Sequence, residues 1–392
     1  MNAGEGSQRI LLQTATERRE AEVRSGDAFE SGDIVEIDPQ GKLRLLTPNR
    51  AKSRTHGLLD RTLDPRRLRA IGFREKVETS IREFFRAKDF REVRTPLLVP
   101  CPGMETHIRP FEISRHERPP AFLPTSPEFA MKKLLVGGLE RIYQICPAFR
   151  DEPESTTHRP EFTLLEWYRA YAGYEEIMGD TEALFEFVAQ RLFGKSSLRF
   201  QNREISVAPP WPRLRIRDLF LEKTGVDLVK SSDRESLAHE CKRLGLRPDE
   251  NDSWDDLYFR IWLNRVEPEL PRDRAVFVTR YPSSQSALAV KDRDSDGSIW
   301  AKRFEVYAGG LELANAFEEL TDPVEQRSRF SEDMDLRERT YGPGFPRTPI
   351  DEGFLQALEE GLPPSGGIAM GVDRMVMLFA DEPDIDFTFW LN

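Results

Sequence analysis

Arg150, Glu152, His158, Arg159, Glu161, Phe162 and Glu166 crowd one short stretch, FRDEPESTTHRPEFTLLEWY. An Arg at a strand end suits a phosphate or a carboxylate, because its planar fork donates two parallel hydrogen bonds. A second stretch, RFEVYAGGLELAN, places Glu305 and Glu312 on either side of Gly309-Gly310. Two carboxylates on facing strands can hold a hard divalent ion, with water and phosphate oxygens completing the shell. A third, SGGIAMGVDR, is a glycine-rich run ending at Arg374. Its glycines let a ligand lie close to the backbone. An Arg and a Phe can sandwich a flat ring. Together these residues describe an ATP site without a phosphate-binding loop of the GxxxxGK[ST] kind, and no GxGxxG follows a strand.

The elements that must position these groups can be read from periodicity. The first stretch is a hairpin. An apolar strand runs up to Phe149, turn formers fill Pro153 to Thr157, and alternation resumes with Thr163, Leu165 and Trp167 opposite Leu164, Glu166 and Tyr168. Arg303–Tyr307 pairs with Leu311–Asn315 in a second hairpin, and the glycine-rich strand feeds a helix beginning at Arg374. A helix starts at Asp64-Pro65 and ends near Asp89, followed by a short strand over Phe90–Pro96. Phe122-Leu123 is a strand leading through Thr125-Ser126-Pro127 into the helix Phe129–Val136. Tyr174–Leu192, Asp218–Lys223 and Ser253–Val266 read as helices, and Ala275–Thr279 as a buried strand. Strands and helices do not alternate as βαβ units, so the expected fold is α+β, an antiparallel sheet flanked by helices.

Residues 1–62 are polar, with one hairpin at Asp33–Leu46 turning over Asp38-Pro39-Gln40-Gly41. They are expected to form an appendage, a possible OB remnant, on a catalytic body over residues 63–392. The chain of 392 residues has 39% apolar and 32% charged residues and no membrane-length apolar run. Three scattered cysteines argue against a disulfide framework and a zinc site and suit a reducing cytoplasm. The net charge of −11 argues against indiscriminate nucleic-acid binding. The Arg-rich segment Arg61–Arg94 could dock an acidic partner.

Three of these stretches resemble the motifs of class II aminoacyl-tRNA synthetases. Phe90–Pro96 with its helix is similar to motif 1, Phe149–Phe162 to motif 2 and Gly366–Arg374 to motif 3. TSPEFAMKKLLVGGLERIYQI, HRPEFTLLEWY, RFEVYAGGLELANAFEELTDP and GIAMGVDRMVML resemble the lysyl branch, from about residue 64 to the C-terminus. The resemblance implies ATP as substrate and Mg2+ on Glu305 and Glu312. It implies Arg150 and Arg374 as catalytic groups, and Glu152, His158, Arg159, Phe162, Glu305, Val306 and Gly371 as further ATP contacts. Lysine or (R)-β-lysine would meet Ser126, Glu128, Glu166, Tyr168, Glu312, Asn315, Phe317, Glu319 and Ala369. A diammonium substrate calls for several carboxylates, and Glu128, Glu166 and Glu319 supply them.

Within that branch the chain resembles the stand-alone paralogs that join (R)-β-lysine to elongation factor P. The segment ahead of motif 1 is short for an anticodon-binding domain, and LEWY and YPSSQSALA follow the paralogs. Ala369 stands where lysyl-tRNA synthetases usually carry Gly, which would crowd an α-amino group and tolerate a β-amino one. The expected acceptor is therefore elongation factor P rather than tRNA, with a homodimer formed through motif 1. Departures from the pattern are Arg159 before Pro160, the N-terminal 60 residues and the ending DEPDIDFTFWLN. The alternatives are a truncated lysyl-tRNA synthetase or other lysine-activating paralog, and a non-catalytic amino-acid-binding regulatory paralog.

Overall fold

The computed structural model describes residues 7–13, 18–24, 29, 33–40, 42–48, 57–342, 345–346 and 348–391. The chain divides into two compact units, Met1–Phe73 with Asp386–Asn392, and Arg74–Ile385.

In the first unit, Ile34–Ile37 pairs antiparallel with Leu43–Thr47, as the sequence pattern suggests. Asp38 shapes the turn by accepting from the N–H groups of Gln40 and Lys42 at 3.0 and 2.7 Å; Gly41 lies outside the described residues. A further antiparallel pair, Ser7–Gln13 with Arg18–Arg24, precedes it. The C-terminal segment belongs to this unit: Arg67 donates to the carbonyls of Asp386 and Phe389, and Arg66 lies 3.8 Å from the centre of the Phe387 ring.

The second unit is built on a nine-stranded sheet. Its order is Arg213–Arg215, Val276–Pro282, Ile299–Ala308, Leu311–Glu318, Ser365–Gly371, Glu161–Ala170, Arg141–Phe149, Arg91–Glu92, with Lys291–Arg293 added on Ile299–Ala308. All central pairs are antiparallel, and only the two outermost, Arg213–Arg215 and Arg91–Glu92, pair in parallel. Helices Tyr174–Phe193 and Val372–Ala380 pack on the sheet. Gly366 permits this closeness, since a Cβ there would come 2.5 Å from Ile177 and 2.8 Å from the Gly173 carbonyl. The segment between Ile216 and Leu270 forms an apolar cluster that also takes in Val276 and Val278 of the sheet, with Phe220, Tyr258 and Trp262 stacked on one another.

Two expectations need correction. The strand drawn over Phe90–Pro96 is only Arg91–Glu92. Val93 still donates to the Tyr143 carbonyl at 2.9 Å, but the N–H of Thr95 is taken by the Gln144 side chain at 3.1 Å, so the ladder stops before Pro96. The last strand also hands over to its helix earlier than expected, at Val372 rather than Arg374. Asp373 anchors that first turn, accepting from Thr163 N–H at 2.7 Å and pairing with Arg74. Arg374 thus projects from the first turn of a helix.

Candidate functional site

Cross-strand partners share a face of the sheet, so register alone brings the separate stretches together. Gln144, Glu166, Ala369, Asn315 and Glu305 form one continuous row across five strands. The neighbouring row is Ile142, Tyr168, Gly367, Phe317 and Arg303. Gly309 and Gly310 turn the second hairpin with φ of 62° and 85°, a left-handed path that favours glycine. A bulge between Val306 and Tyr307 then sets Tyr307 opposite Glu312, so Glu305, Tyr307 and Glu312 converge. Val306 alternates away from Glu305. Its side chain is buried on the other face, which leaves only its backbone for a nucleotide.

The anion-binding end is drawn together by Arg374. Its guanidinium donates to the carbonyls of Glu312 at 2.9 Å and Thr157 at 3.2 Å, and Nη2 lies 2.7 Å from His158 Nε2. One side chain therefore ties both hairpins to the last helix. Burial and then the adjacent Arg374 hold the His158 imidazole below its usual range, so a neutral ring accepts from Arg374 and turns its other nitrogen toward Ser155 Oγ at 2.9 Å. Arg150 lies over the Phe162 ring at 5.1 Å, and its buried Nε meets no hydrogen-bond partner. A flat ligand on Phe162 would therefore meet Arg150. Arg159 folds back on its own loop, donating to the Ser155 and His158 carbonyls and pairing with Glu154 at 3.3 Å. Half-buried Glu152 sits on the same loop, with its N–H bonded to the Arg150 carbonyl at 2.9 Å.

Glu305 and Glu312 fit a divalent cation. Burial first, and then Glu305, push the Glu312 carboxyl up to about 7. Glu312 itself is exposed and Glu305 buried, and two carboxylates this close gain from a shared cation. Glu305 is held by Arg303 at 2.6 Å and Tyr307 at 2.8 Å. Among the described residues no cluster of three or more His, Cys, Asp or Glu could hold a metal by itself.

At the other end, three carboxylates gather in a dry site. Glu166 is fully buried and accepts from Ser126 Oγ at 2.7 Å and Tyr168 OH at 3.0 Å. Ser126 also accepts from the N–H of Glu128, the first residue of the helix Glu128–Val136, at 3.0 Å. Burial, and then Glu128, push the Glu166 carboxyl up to about 8; burial alone does most of the same for Glu319, also to about 8. Glu128 is raised as well, again by burial first. Gly367 lies beneath this cluster, since a Cβ there would meet Glu319 and the Tyr168 ring at 2.3 Å.

The chain matches the family described as tRNA synthetases class II (D, K and N) over residues 51–389. It belongs to that family. The proteins named lysine–tRNA ligase in Carboxydothermus hydrogenoformans, Pelotomaculum thermopropionicum and Dehalococcoides mccartyi are 36%, 37% and 38% identical to it over 329, 331 and 314 residues. The alignments cover 83%, 83% and 80% of this chain and 66%, 64% and 61% of those proteins, so the chain spans slightly less than two thirds of their length. The fold is the class II synthetase catalytic fold, as the motifs imply.

The sequence reading passed over three side chains that lie beside these carboxylates. Arg303 donates to Glu305, to Asn315 Oδ1 at 3.0 Å and to the Gln285 carbonyl at 2.9 Å, and stacks over Tyr281 and Phe317 at 4.3 and 5.9 Å. Strand period carried the signal, since Arg303 lies two residues before Glu305. Lys132 binds Glu128 and Glu319 at 2.6 and 2.5 Å, and its helical spacing from Glu128 was readable. Glu267, raised by burial and then by Glu305, is a third acidic group near the cation carboxylates; nothing local in the sequence marks it.

Proposed function

We propose that the chain activates lysine or (R)-β-lysine with ATP and transfers the product to a lysine side chain of elongation factor P. The observation that carries the activation step is the row Glu166, Ala369, Asn315, Glu305. It puts the buried Glu166 carboxylate on the same sheet face as Glu305, which supports a site that takes an amine at one end and a cation-bound phosphate at the other. The named relatives support lysine as the amino acid.

The chemistry needs no general base. The substrate carboxylate is already an anion, and one of its oxygens bonds to the α-phosphorus in line while the bond to the bridging oxygen breaks and pyrophosphate leaves. Arg150 and Arg374 position and neutralise the anions. Magnesium on Glu305 and Glu312 would screen the phosphate charge when bound. An acceptor amine in its neutral form then attacks the acyl carbon; the amide forms as the bond from the acyl carbon to the phosphate oxygen breaks, AMP leaves, and the amine's proton passes to water.

Ala369 supports the β-amino reading. Its methyl lies between Glu166 and Asn315, where Gly would leave more room for an α-amino group. The relatives named lysine–tRNA ligase favour a second reading, transfer to tRNA. Lysine- and (R)-β-lysine-dependent ATP–pyrophosphate exchange tests activation, and absence of exchange with both refutes it. Supplying both acceptors in one assay decides transfer. Labelling of tRNA but not of elongation factor P refutes the protein-acceptor proposal. The Ala369→Gly change should shift preference toward α-lysine, and an unchanged ratio removes the pocket argument.

A further inference from the structure

Lys132 has no role in any reading above, yet it is the most buried cation beside the three carboxylates. Its side chain is 1% exposed. It reaches back along its own helix to Glu128 at 2.6 Å and across to Glu319 at 2.5 Å, with the Phe354 ring 5.9 Å away. Phe354 in turn stacks on Phe129 at 4.6 Å, which walls in the lysine stem. The ammonium therefore stays where it is when a substrate enters.

The geometry points to Lys132 as the positioning and specificity residue that sets the charge of this pocket. It neutralises one of three carboxylates and leaves two negative charges for the two ammonium groups of the substrate. This deepens the reading that the pocket takes lysine or (R)-β-lysine, and it rests on that reading. The charged and titratable groups facing Lys132 are Glu128 on its own helix, Glu319 after the second hairpin, Glu166 and Tyr168 on the motif 2 strand, and Glu105, which acts through Glu128. Burial pushes all three pocket carboxyls up, whereas the ammonium pulls Glu128 and Glu319 down and is itself held protonated. These tendencies oppose each other across contacts of 2.5 and 2.6 Å. The ionised state wins at the contacts, because an ammonium buried without a charged partner is far less stable. Neither oxygen of Glu319 has a well-angled donor, even from Lys132. That leaves lone pairs for a substrate ammonium.

Without Lys132, three carboxylates would share one dry site and would take up protons to reduce their repulsion. A diammonium ligand must displace those protons, so its affinity falls at neutral pH and its binding becomes more strongly proton-linked.

The test compares wild type, Lys132→Met and Lys132→Arg. Binding of L-lysine and of (R)-β-lysine is measured calorimetrically in two buffers of different ionisation enthalpy, and pyrophosphate exchange is followed from pH 6 to 9. At pH 7, Lys132→Met should raise KM by about tenfold or more, change kcat by less than about threefold, and release about one more proton per ligand bound. Lys132→Arg should restore both affinity and proton count. If Lys132→Met does not fold, Lys132→Gln keeps a polar group at the same contacts without the charge and should show the same rise in KM and the same extra proton. Wild-type KM and proton release in a folded uncharged variant, or a fall in kcat alone, overturns the inference. Wild type that neither binds nor exchanges either amine overturns the underlying reading as well, whereas active wild type beside an unaffected variant overturns this inference alone.

Discussion

Replacing Arg303 by Met removes a buried cation that holds the two ends of the site in register. Its guanidinium contacts Glu305 at 2.6 Å, Asn315 at 3.0 Å and the Gln285 carbonyl at 2.9 Å. Met fills much of the same volume, so the loss is mainly electrostatic. Deleting one partner of a buried ion pair typically destabilises by about 3–5 kcal/mol, because the remaining charge stays in low dielectric. Here the remaining charge is Glu305, whose proximity already raises Glu312. At roughly 2 °C per kcal/mol for a domain of this size, the melting temperature should fall by about 6–10 °C. Millimolar magnesium should recover more of that loss in the variant than it adds to wild type, since the variant has one more uncompensated negative charge near the cation carboxylates. Arg303→Lys should fall between the two, because an ammonium keeps the charge but not the three-way fork. Thermal melts with and without magnesium, with pyrophosphate exchange alongside, give the readout. A Met variant that melts within about one degree of wild type, with unchanged exchange, would refute the idea that Arg303 couples the two halves.

Three further outcomes follow from the same contacts. Glu166, bonded to Ser126 and Tyr168 rather than to Lys132, carries a carboxyl raised to about 8 against an ordinary 4.5, so the empty protein loses stability as pH rises from about 4.5 to 8, where the unfolded chain ionises first. A diammonium ligand needs the ionised forms, so the melting shift produced by saturating lysine should grow between pH 6 and 8.5; a shift independent of pH contradicts it. Gly367→Ala puts a Cβ within 2.3 Å of Glu319 and the Tyr168 ring, which should destabilise by about 1–3 kcal/mol and raise lysine KM more than ATP KM; equal effects on both would contradict it. Asp373→Asn weakens the link to Arg74 that seats the first turn bearing Arg374. It should lower kcat more than lysine affinity, as exchange kinetics at saturating lysine would show.

Local chemistry made the hairpins legible. Alternation ran on both sides of Pro153–Thr157, and Gly309-Gly310 announced a turn that only glycine makes easily. The strand at Phe90–Pro96 failed for a reason that no local window holds. The group that ends it, Gln144, lies 49 residues away and takes the Thr95 N–H with its side chain. The start of the last helix is misplaced for the same kind of reason, since Arg74 and Thr163 fix Asp373 from two other elements.

The site divides along the same line. Acidic residues could be counted from sequence, and Glu128, Glu166 and Glu319 do converge. What could not be counted was the charge they carry, because that depends on which cations reach them through space. Lys132 cancels part of one end and Arg303 part of the other, and both come from positions that helix and strand period placed on the correct face. A pocket of three carboxylates alone would hold its protons at neutral pH and resist the diammonium substrate proposed for it. Lys132 pairs with Glu128 and Glu319, and Arg303 with Glu305, so on the proposed reading affinity for an amine and for a divalent cation rests as much on Lys132 and Arg303 as on the acids themselves.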